Sequence, residues 1–326
     1  RRTYGPDDGA VYTRQVDQLR MIFLVIILIG CVAFPHGLER ARLKMNETAR
    51  SDAPGDFCKL KKGLTHYRYF GLKTGPLVVC IHGLTTPSFV FEAIAKELVV
   101  KGYRVLVYDH YGRGYSDRPS GVQDRKFFVE QLFELLATLG EKDAFDLIGY
   151  SMGGAIASAF GAKHPERIKK LILLAPAGMG HELGSLATIA LRVPLFGTWA
   201  FMALYARIHR QGTEKERALV SDVNYVVDRQ QRELNYLGFL PSVLASLRGI
   251  LATSSQVDHQ KLATKNIEVI SVWGAEDMVI PISGKERLLK WNADSKHIVI
   301  AHARHGLAYT HVTEVMQDLS LNLRSP

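Results

Sequence analysis

The stretch LIGYSMGGAIAS, residues 147–158, decides how this chain is read. Leu147 and Ile148 end a short apolar run, and Ala155, Ile156 and Ala157 open a run of helix formers. Between them, Gly149-Tyr150-Ser151-Met152-Gly153 fits the pattern G-x-S-x-G, a serine on a sharp strand-to-helix turn. Such a turn strains the serine backbone, and only small neighbours avoid collision with the helix that follows. An ordinary glycine-rich turn fits the same five residues, so the surrounding segments have to decide.

Outward from that turn the chain alternates strand-like and helix-like segments. HYRYFG (66–71) and LVVCIHG (77–83) read as strands, followed by the helix-like FVFEAIAKELVVKG (89–102) and the strand YRVLVYD (103–109). The helix-like FFVEQLFELLATLG (127–140), the strand AFDLIGY (144–150), the helix after Ser151 and the strand KKLILLAP (169–176) come next. The alternation resumes with NIEVISVWG (266–274), KHIVIAH (296–302) and a closing helix, LAYTHVTEVMQDL (307–319). Short apolar runs separated by helices predict a mostly parallel, doubly wound α/β sheet covered on both faces. Its two parts are residues 66–180 and 263–326. Residues 181–262 carry no strand signal and predict an inserted α-helical cap, whose apolar side chains either line a pocket or fill the cap's own core.

The 326 residues suit one large domain with such an insert, and an apolar content of 47% supplies its core. The net charge of +9 is uneven. Residues 1–75 hold 13 Lys and Arg against 7 Asp and Glu, while the rest holds 28 against 25. The basic excess lies beside the most hydrophobic stretch, residues 21–38, which favours a membrane surface over nucleic acid. At 18 residues that stretch makes a helix about 27 Å long, near the lower limit for a bilayer core of about 30 Å. It is expected to be an uncleaved membrane anchor after a polar segment, residues 1–20. The alternatives are a secretory signal or, from Leu28-Ile29-Gly30-Cys31, a lipoprotein cleavage box, and last a buried core helix, which the polar, basic linker after it disfavours. Residues 39–65 are polar and read as a linker. Cys31, Cys58 and Cys80 make neither a disulfide framework nor a zinc spacing.

A serine hydroxyl needs a base within reach and an acid to orient that base. In open parallel sheets such groups gather at the carboxyl ends of strands. After IEVISVW comes Gly274-Ala275-Glu276-Asp277, where Asp277 follows the turn glycine and Glu276 is the weaker candidate. After HIVIAH comes Ala303-Arg304-His305-Gly306, with His305 in the loop and His302 and His311 as weaker candidates. The histidine spacing lacks the carboxylates of a metal site, so no metal is expected. Gly112-x-Gly114 follows a strand, but Asp117 stands where the third glycine of a dinucleotide fingerprint belongs, so no cofactor is expected.

The order Ser151, Asp277, His305, each at a strand end, resembles the α/β-hydrolase superfamily. CIHGLTT (80–86) is similar to its His-Gly loop, DHYGRGYSDRP (109–119) to its aspartate- and glycine-rich loop, and HPERIKKLILLAPAG (164–178) to the approach to its cap. The resemblance covers about residues 66–320 and matches the cap by position only. It implies a Ser151–His305–Asp277 triad and an oxyanion hole from the backbone N–H groups of Leu84 and Met152. Each such donor is typically worth about 3 kcal/mol to the transition state. His82 then belongs to the oxyanion loop, as an architectural residue.

Fold leaves the substrate open. A serine at position 151 argues against the dehalogenases and epoxide hydrolases of this fold, which use aspartate. Tyr150 departs from the asparagine frequent in its C–C bond hydrolases, and Met152 from the tryptophan frequent in its peptidases. The apolar cap and the membrane segment favour an esterase acting on an apolar acyl ester or monoacylglycerol. A C–C hydrolase or lactonase is the enzymatic alternative, and a receptor using the cap pocket the non-enzymatic one.

Overall fold

Strand runs with no polar interruption demand cover on both faces, and the chain supplies it. The computed structural model describes residues 6–180 and 184–320 and divides after Arg42 into two units. In the first, α1 (Pro6–Arg40) is one 35-residue helix with Pro35 inside it. It absorbs the hydrophobic stretch and the described part of the polar segment before it. Its section Arg14–Arg40 is long and apolar enough to cross a membrane, about 40 Å at 1.5 Å per residue. Its large apolar side chains from Leu19 to Phe34 are exposed.

The second unit begins with α2 (Glu47–Arg50), capped by the Asn46 side chain, then β1 (Asp56–Leu60) and β2 (Gly63–Phe70). Here the linker expected over 39–65 is corrected. Residues 56–60 pair antiparallel with β2 as an edge strand. Its exposed Asp56 and Lys59 give it a polar composition, while Cys58 and Leu60 are buried. There follow β3 (Leu77–Ile81), α3 (Glu92–Val100), β4 (Arg104–Tyr108), α4 (Arg125–Thr138), β5 (Phe145–Tyr150), α5 (Met152–Lys163) and β6 (Ile168–Leu174). Between β6 and β7 the described residues form no strand and build five α-helices: α6 (Ser185–Arg192), α7 (Pro194–Glu214), α8 (Val226–Arg232), α9 (Phe239–Arg248) and α10 (Gln256–Thr264). The chain ends with β7 (Glu268–Gly274), α11 (Gly284–Trp291), β8 (Lys296–Ile300), α12 (Leu307–Thr310) and α13 (Val312–Ser320). The expected single closing helix is thus broken at His311, whose non-helical backbone (φ −137°, ψ 42°) separates α12 from α13.

The eight strands lie in the order β1-β2-β4-β3-β5-β6-β7-β8, parallel from β4 through β8 and antiparallel at β1 and β2. On one face Phe128 and Leu132 of α4, Ile156 and Phe160 of α5, Leu262 of α10 and Leu288 of α11 join one apolar cluster. On the other, Ile94 and Leu98 of α3 and Leu307, Val315 and Leu319 beyond β8 join a second. Each such fully buried aliphatic side chain contributes about 1.5–3 kcal/mol. A third cluster, from Ala190, Phe201, Leu234 and Phe239 to Leu247, belongs to the inserted helices alone.

That division moves one expected boundary. α10 straddles the end of the insert predicted over 181–262, and its Leu262 packs in the sheet's cluster while its His259 meets Ser158 of α5 at 3.1 Å. Its polar sequence, QVDHQKLAT, leaves little apolar pattern to assign it to either layer. Residues 181–183, at the start of the expected insert, lie outside the described residues.

Candidate active site

β3 and β5 are neighbours although β4 lies beyond β3, so the winding reverses between them and opens a crevice at their carboxyl ends. Ile81 pairs with Gly149 there, which sets the loop after β3 beside the turn after β5. In that turn Ser151 has φ 55° and ψ −120°, a strained conformation for a residue with a side chain. The glycines explain themselves. A Cβ on Gly149 would lie 2.8 Å from Ala157 Cβ and run into the Gly153 carbonyl. One on Gly153 would strike the carbonyls of Ile81 and His82, and one on Gly154 would lie 2.7 Å from Pro176. Strand, turn and helix close on one another only if these positions are bare.

His305 follows β8 and meets both partners that the sequence suggests. Its Nε2 lies 3.0 Å from Ser151 Oγ, and its Nδ1 lies 2.8 Å from Asp277 Oδ2. The Asp277 side chain is fully buried, and its Oδ1 accepts the backbone N–H groups of Val279 and Ile280. A carboxylate only accepts, so Nδ1 carries the proton and Nε2 is left to accept from the serine. Glu276 instead turns to the surface, 3.6 Å from both His302 and Arg304. His302 is itself exposed, and His311 Nδ1 contacts its neighbour Thr310.

The loop after β3 runs directly against the serine: a Cβ on Gly83 would sit 3.3 Å from Ser151 Cβ. His82 is buried, donates from Nδ1 to the Gly83 carbonyl at 2.8 Å and accepts the His110 backbone N–H at Nε2, 2.9 Å away. Burial holds it down to about 4, so it is neutral at ordinary pH and pins this loop to the one after β4. Leu84 comes next in the loop, and Met152 is the first residue of α5, fully buried behind Ser151. The backbone N–H of Met152 thus belongs to the first turn of α5, where a helix favours negative charge.

Two further side chains reach the site without any signal in the sequence. Tyr150 donates its hydroxyl to the His305 carbonyl at 3.0 Å, and Tyr309 donates to Glu216 of the insert at 2.7 Å. Burial raises both well above the usual phenol range. Above His305 opens a groove of about 780 Å³, with Leu219 and Val220 of the insert on one side and Met278 and Val279 on the other. Among the described residues no three His, Cys, Asp or Glu side chains converge as a metal site would require.

Known proteins place this arrangement in a family. Residues 76–312 match the alpha/beta hydrolase fold family. The chain is 28% identical over 224 residues to the 2-hydroxymuconate semialdehyde hydrolase of a Pseudomonas species, covering 65% of this chain and 74% of that protein. It is 28% identical over 246 residues to the cis-3-alkyl-4-alkyloxetan-2-one decarboxylase of Shewanella oneidensis, covering 70% and 75%. The solved structure of a bromoperoxidase from Bacillus anthracis superposes with a TM-score of 0.68 at 24% identity, covering 82% of this chain and 99% of that one. With the doubly wound sheet, the serine turn and a family match over most of its length, the chain belongs to the alpha/beta hydrolase fold family.

Proposed function

We propose that the protein is a membrane-associated serine esterase that cleaves an apolar acyl ester or a monoacylglycerol through a Ser151–His305–Asp277 triad. The observation that carries this reading is the unbroken contact from Asp277 through His305 to Ser151, at 2.8 and 3.0 Å. His305 Nε2 takes the Ser151 proton as Oγ attacks the ester carbonyl, and Asp277 stabilises the imidazolium that results. The backbone N–H groups of Leu84 and Met152 receive the developing oxyanion. His305 then returns its proton to the departing alcohol, and a water that it activates hydrolyses the acyl-enzyme. The inserted helices serve as the cap, and the apolar groove walls give an acyl chain its support. α1 serves as the anchor, a reading supported by its length and by the exposed apolar side chains from Leu19 to Phe34.

A second reading has one specific support, the similarity to a 2-hydroxymuconate semialdehyde hydrolase, which favours hydrolysis of a C–C bond in a ring-cleavage product on the same three residues. Labelling by a fluorophosphonate probe, comparing wild type with Ser151→Ala in membrane and soluble fractions, tests the serine for both. Turnover of p-nitrophenyl and glyceryl esters, with a dienoate ring-cleavage product alongside, separates them. Wild-type labelling that vanishes in the variant, with ester turnover, is the expected result. A folded wild type that neither labels nor turns over an ester removes the esterase reading.

A further inference from the structure

The guanidinium of Arg113 is fully buried, and none of its hydrogen-bond acceptors is a carboxylate. It lies in the loop after β4, four residues beyond Asp109, a position where an arginine between two glycines reads as exposed. Its five donors are all engaged. Nε donates to the Leu84 carbonyl at 3.0 Å, and Nη1 to the Tyr111 carbonyl at 3.1 Å and to Gln123 Oε1. Nη2 donates to the Ser242 carbonyl at 3.2 Å and to Ser246 Oγ at 2.7 Å, both on α9 of the insert. Ser246 Oγ in turn donates to Gln123 Oε1 at 2.7 Å, closing a ring around the guanidinium.

Burying a cation without an opposing carboxylate in contact is costly, and simpler packing would hold a loop to a helix. Burial lowers the Arg113 pKa to about 9, which still leaves the group cationic near neutrality. What the planar fork supplies, and no other side chain does, is five donors of fixed geometry serving acceptors from separate segments. One of those acceptors is the carbonyl of Leu84, the residue whose N–H is the proposed oxyanion donor. The Leu84 side chain is also shared, packing against both the sheet's cluster and the insert's own.

We infer that Arg113 is a positioning residue that makes the oxyanion hole dependent on the seating of the inserted helices. The Leu84 N–H shares its peptide plane with the Gly83 carbonyl, which His82 holds, and Arg113 holds the carbonyl on the next plane, so the two together set that residue's orientation. The other end of the fork holds α9, and an insert that shifts there loosens one of the two holds on the donor. This rests on the esterase reading above. A misplacement of about 1 Å at such a donor is enough for a loss near a hundredfold.

The test uses the full chain carrying Arg113→Lys or Arg113→Met, and separately Ser246→Ala, a milder lesion that removes only the hydroxyl on the α9 side. Each is assayed for kcat and KM on an ester that the wild type turns over, for the pH profile, and for affinity toward a trifluoromethyl ketone analogue of that ester. The expected result for Arg113→Lys is a kcat lowered about tenfold to a hundredfold with KM within about threefold. Ketone affinity falls in parallel and the pH midpoints do not move, since His305 is untouched. Folded variants that keep wild-type kcat and ketone affinity overturn the inference, as does a rise in KM with kcat unchanged. Should the arginine variants not fold, Ser246→Ala decides: a drop of about threefold to tenfold in kcat and ketone affinity supports the role, and wild-type values overturn it. A wild type inert to esters and to fluorophosphonate overturns the esterase reading itself, and is recognised before any variant is made.

Discussion

The two oxygens of the Asp277 carboxylate are engaged in different directions. Oδ2 accepts the His305 Nδ1 proton at 2.8 Å, and Oδ1 accepts the N–H groups of Val279 and Ile280 at 2.7 and 2.8 Å. This division gives Asp277→Asn a definite outcome. The two backbone N–H groups hold the amide oxygen, so the amide NH2 faces His305 and forces its proton onto Nε2. An imidazole in that form has no lone pair for Ser151. Asp277→Asn is therefore expected to lower kcat about a thousandfold to ten-thousandfold while the melting temperature changes little. Steady-state kinetics beside thermal melts measure both. A loss below tenfold would remove Asp277 from the proposed triad.

Two glycine-to-alanine substitutions should move stability in opposite directions. At Gly153 the added methyl strikes the backbone carbonyls of Ile81 and His82, which have no rotamer to yield. A loss on the order of 2–4 kcal/mol is expected, with slower labelling of Ser151 because the oxyanion loop is displaced. At Gly212, inside α7, nothing lies within 4 Å of the added methyl. There a gain of about 0.5–1 kcal/mol is expected from helix propensity and the restricted unfolded chain. Denaturant midpoints for the two variants, each against wild type, check the pair.

Stability should fall in acid for a reason outside the proposed triad. Burial holds His82 and His209 down to about 4 and His259 to about 3, against 6.5 in the unfolded chain. Between these values the unfolded chain binds more protons, so stability rises with pH. It is complete above about 6.5 and is lost progressively as pH falls toward 4, by a few kcal/mol for each fully buried ring. Melting temperatures recorded from pH 7.5 to pH 4.5 should drop most steeply below 6.5. A flat profile through that window would mean that these rings are not buried neutral.

The proposed anchor makes a fourth prediction. Leu24→Arg with Leu28→Arg puts two charges one turn apart near the middle of the apolar run, at about 2.5–3.5 kcal/mol each in a bilayer. The doubly substituted chain should leave the carbonate-washed membrane pellet and appear in the supernatant with Ser151 labelling intact. Retention in the pellet would remove α1 as the anchor. A mature chain found to begin at Cys31 would replace the anchor with a lipoprotein attachment.

The residues of the candidate site were legible because their constraints are local. Ser151 sits on a turn whose glycines must be bare, and Asp277 and His305 follow apolar runs that end at turn residues. Glu276 and Asp277 follow the end of β7 in the same turn, where Asp277 is buried against His305 and Glu276 lies at the surface. What escaped notice depends on contacts far along the chain. β1 mixes exposed Asp56 and Lys59 with buried Cys58 and Leu60 in five residues and shows itself as a strand only through pairing with β2. α10 has too few apolar residues to declare which cluster it joins. Arg113 meets α9 across 129 and 133 positions, and nothing near it in sequence marks its burial. Tyr150 likewise finds the His305 carbonyl 155 positions away.

Leu84 belongs to two apolar clusters at once, the large one beneath the sheet and the small one inside the inserted helices. Units of such unequal size open at different temperatures. Heat would therefore silence the protein in two stages, with hydrolysis failing as the small cluster loosens and the sheet still intact beneath it. On that expectation, reinforcing the sheet raises the melting point without extending the range over which the protein acts.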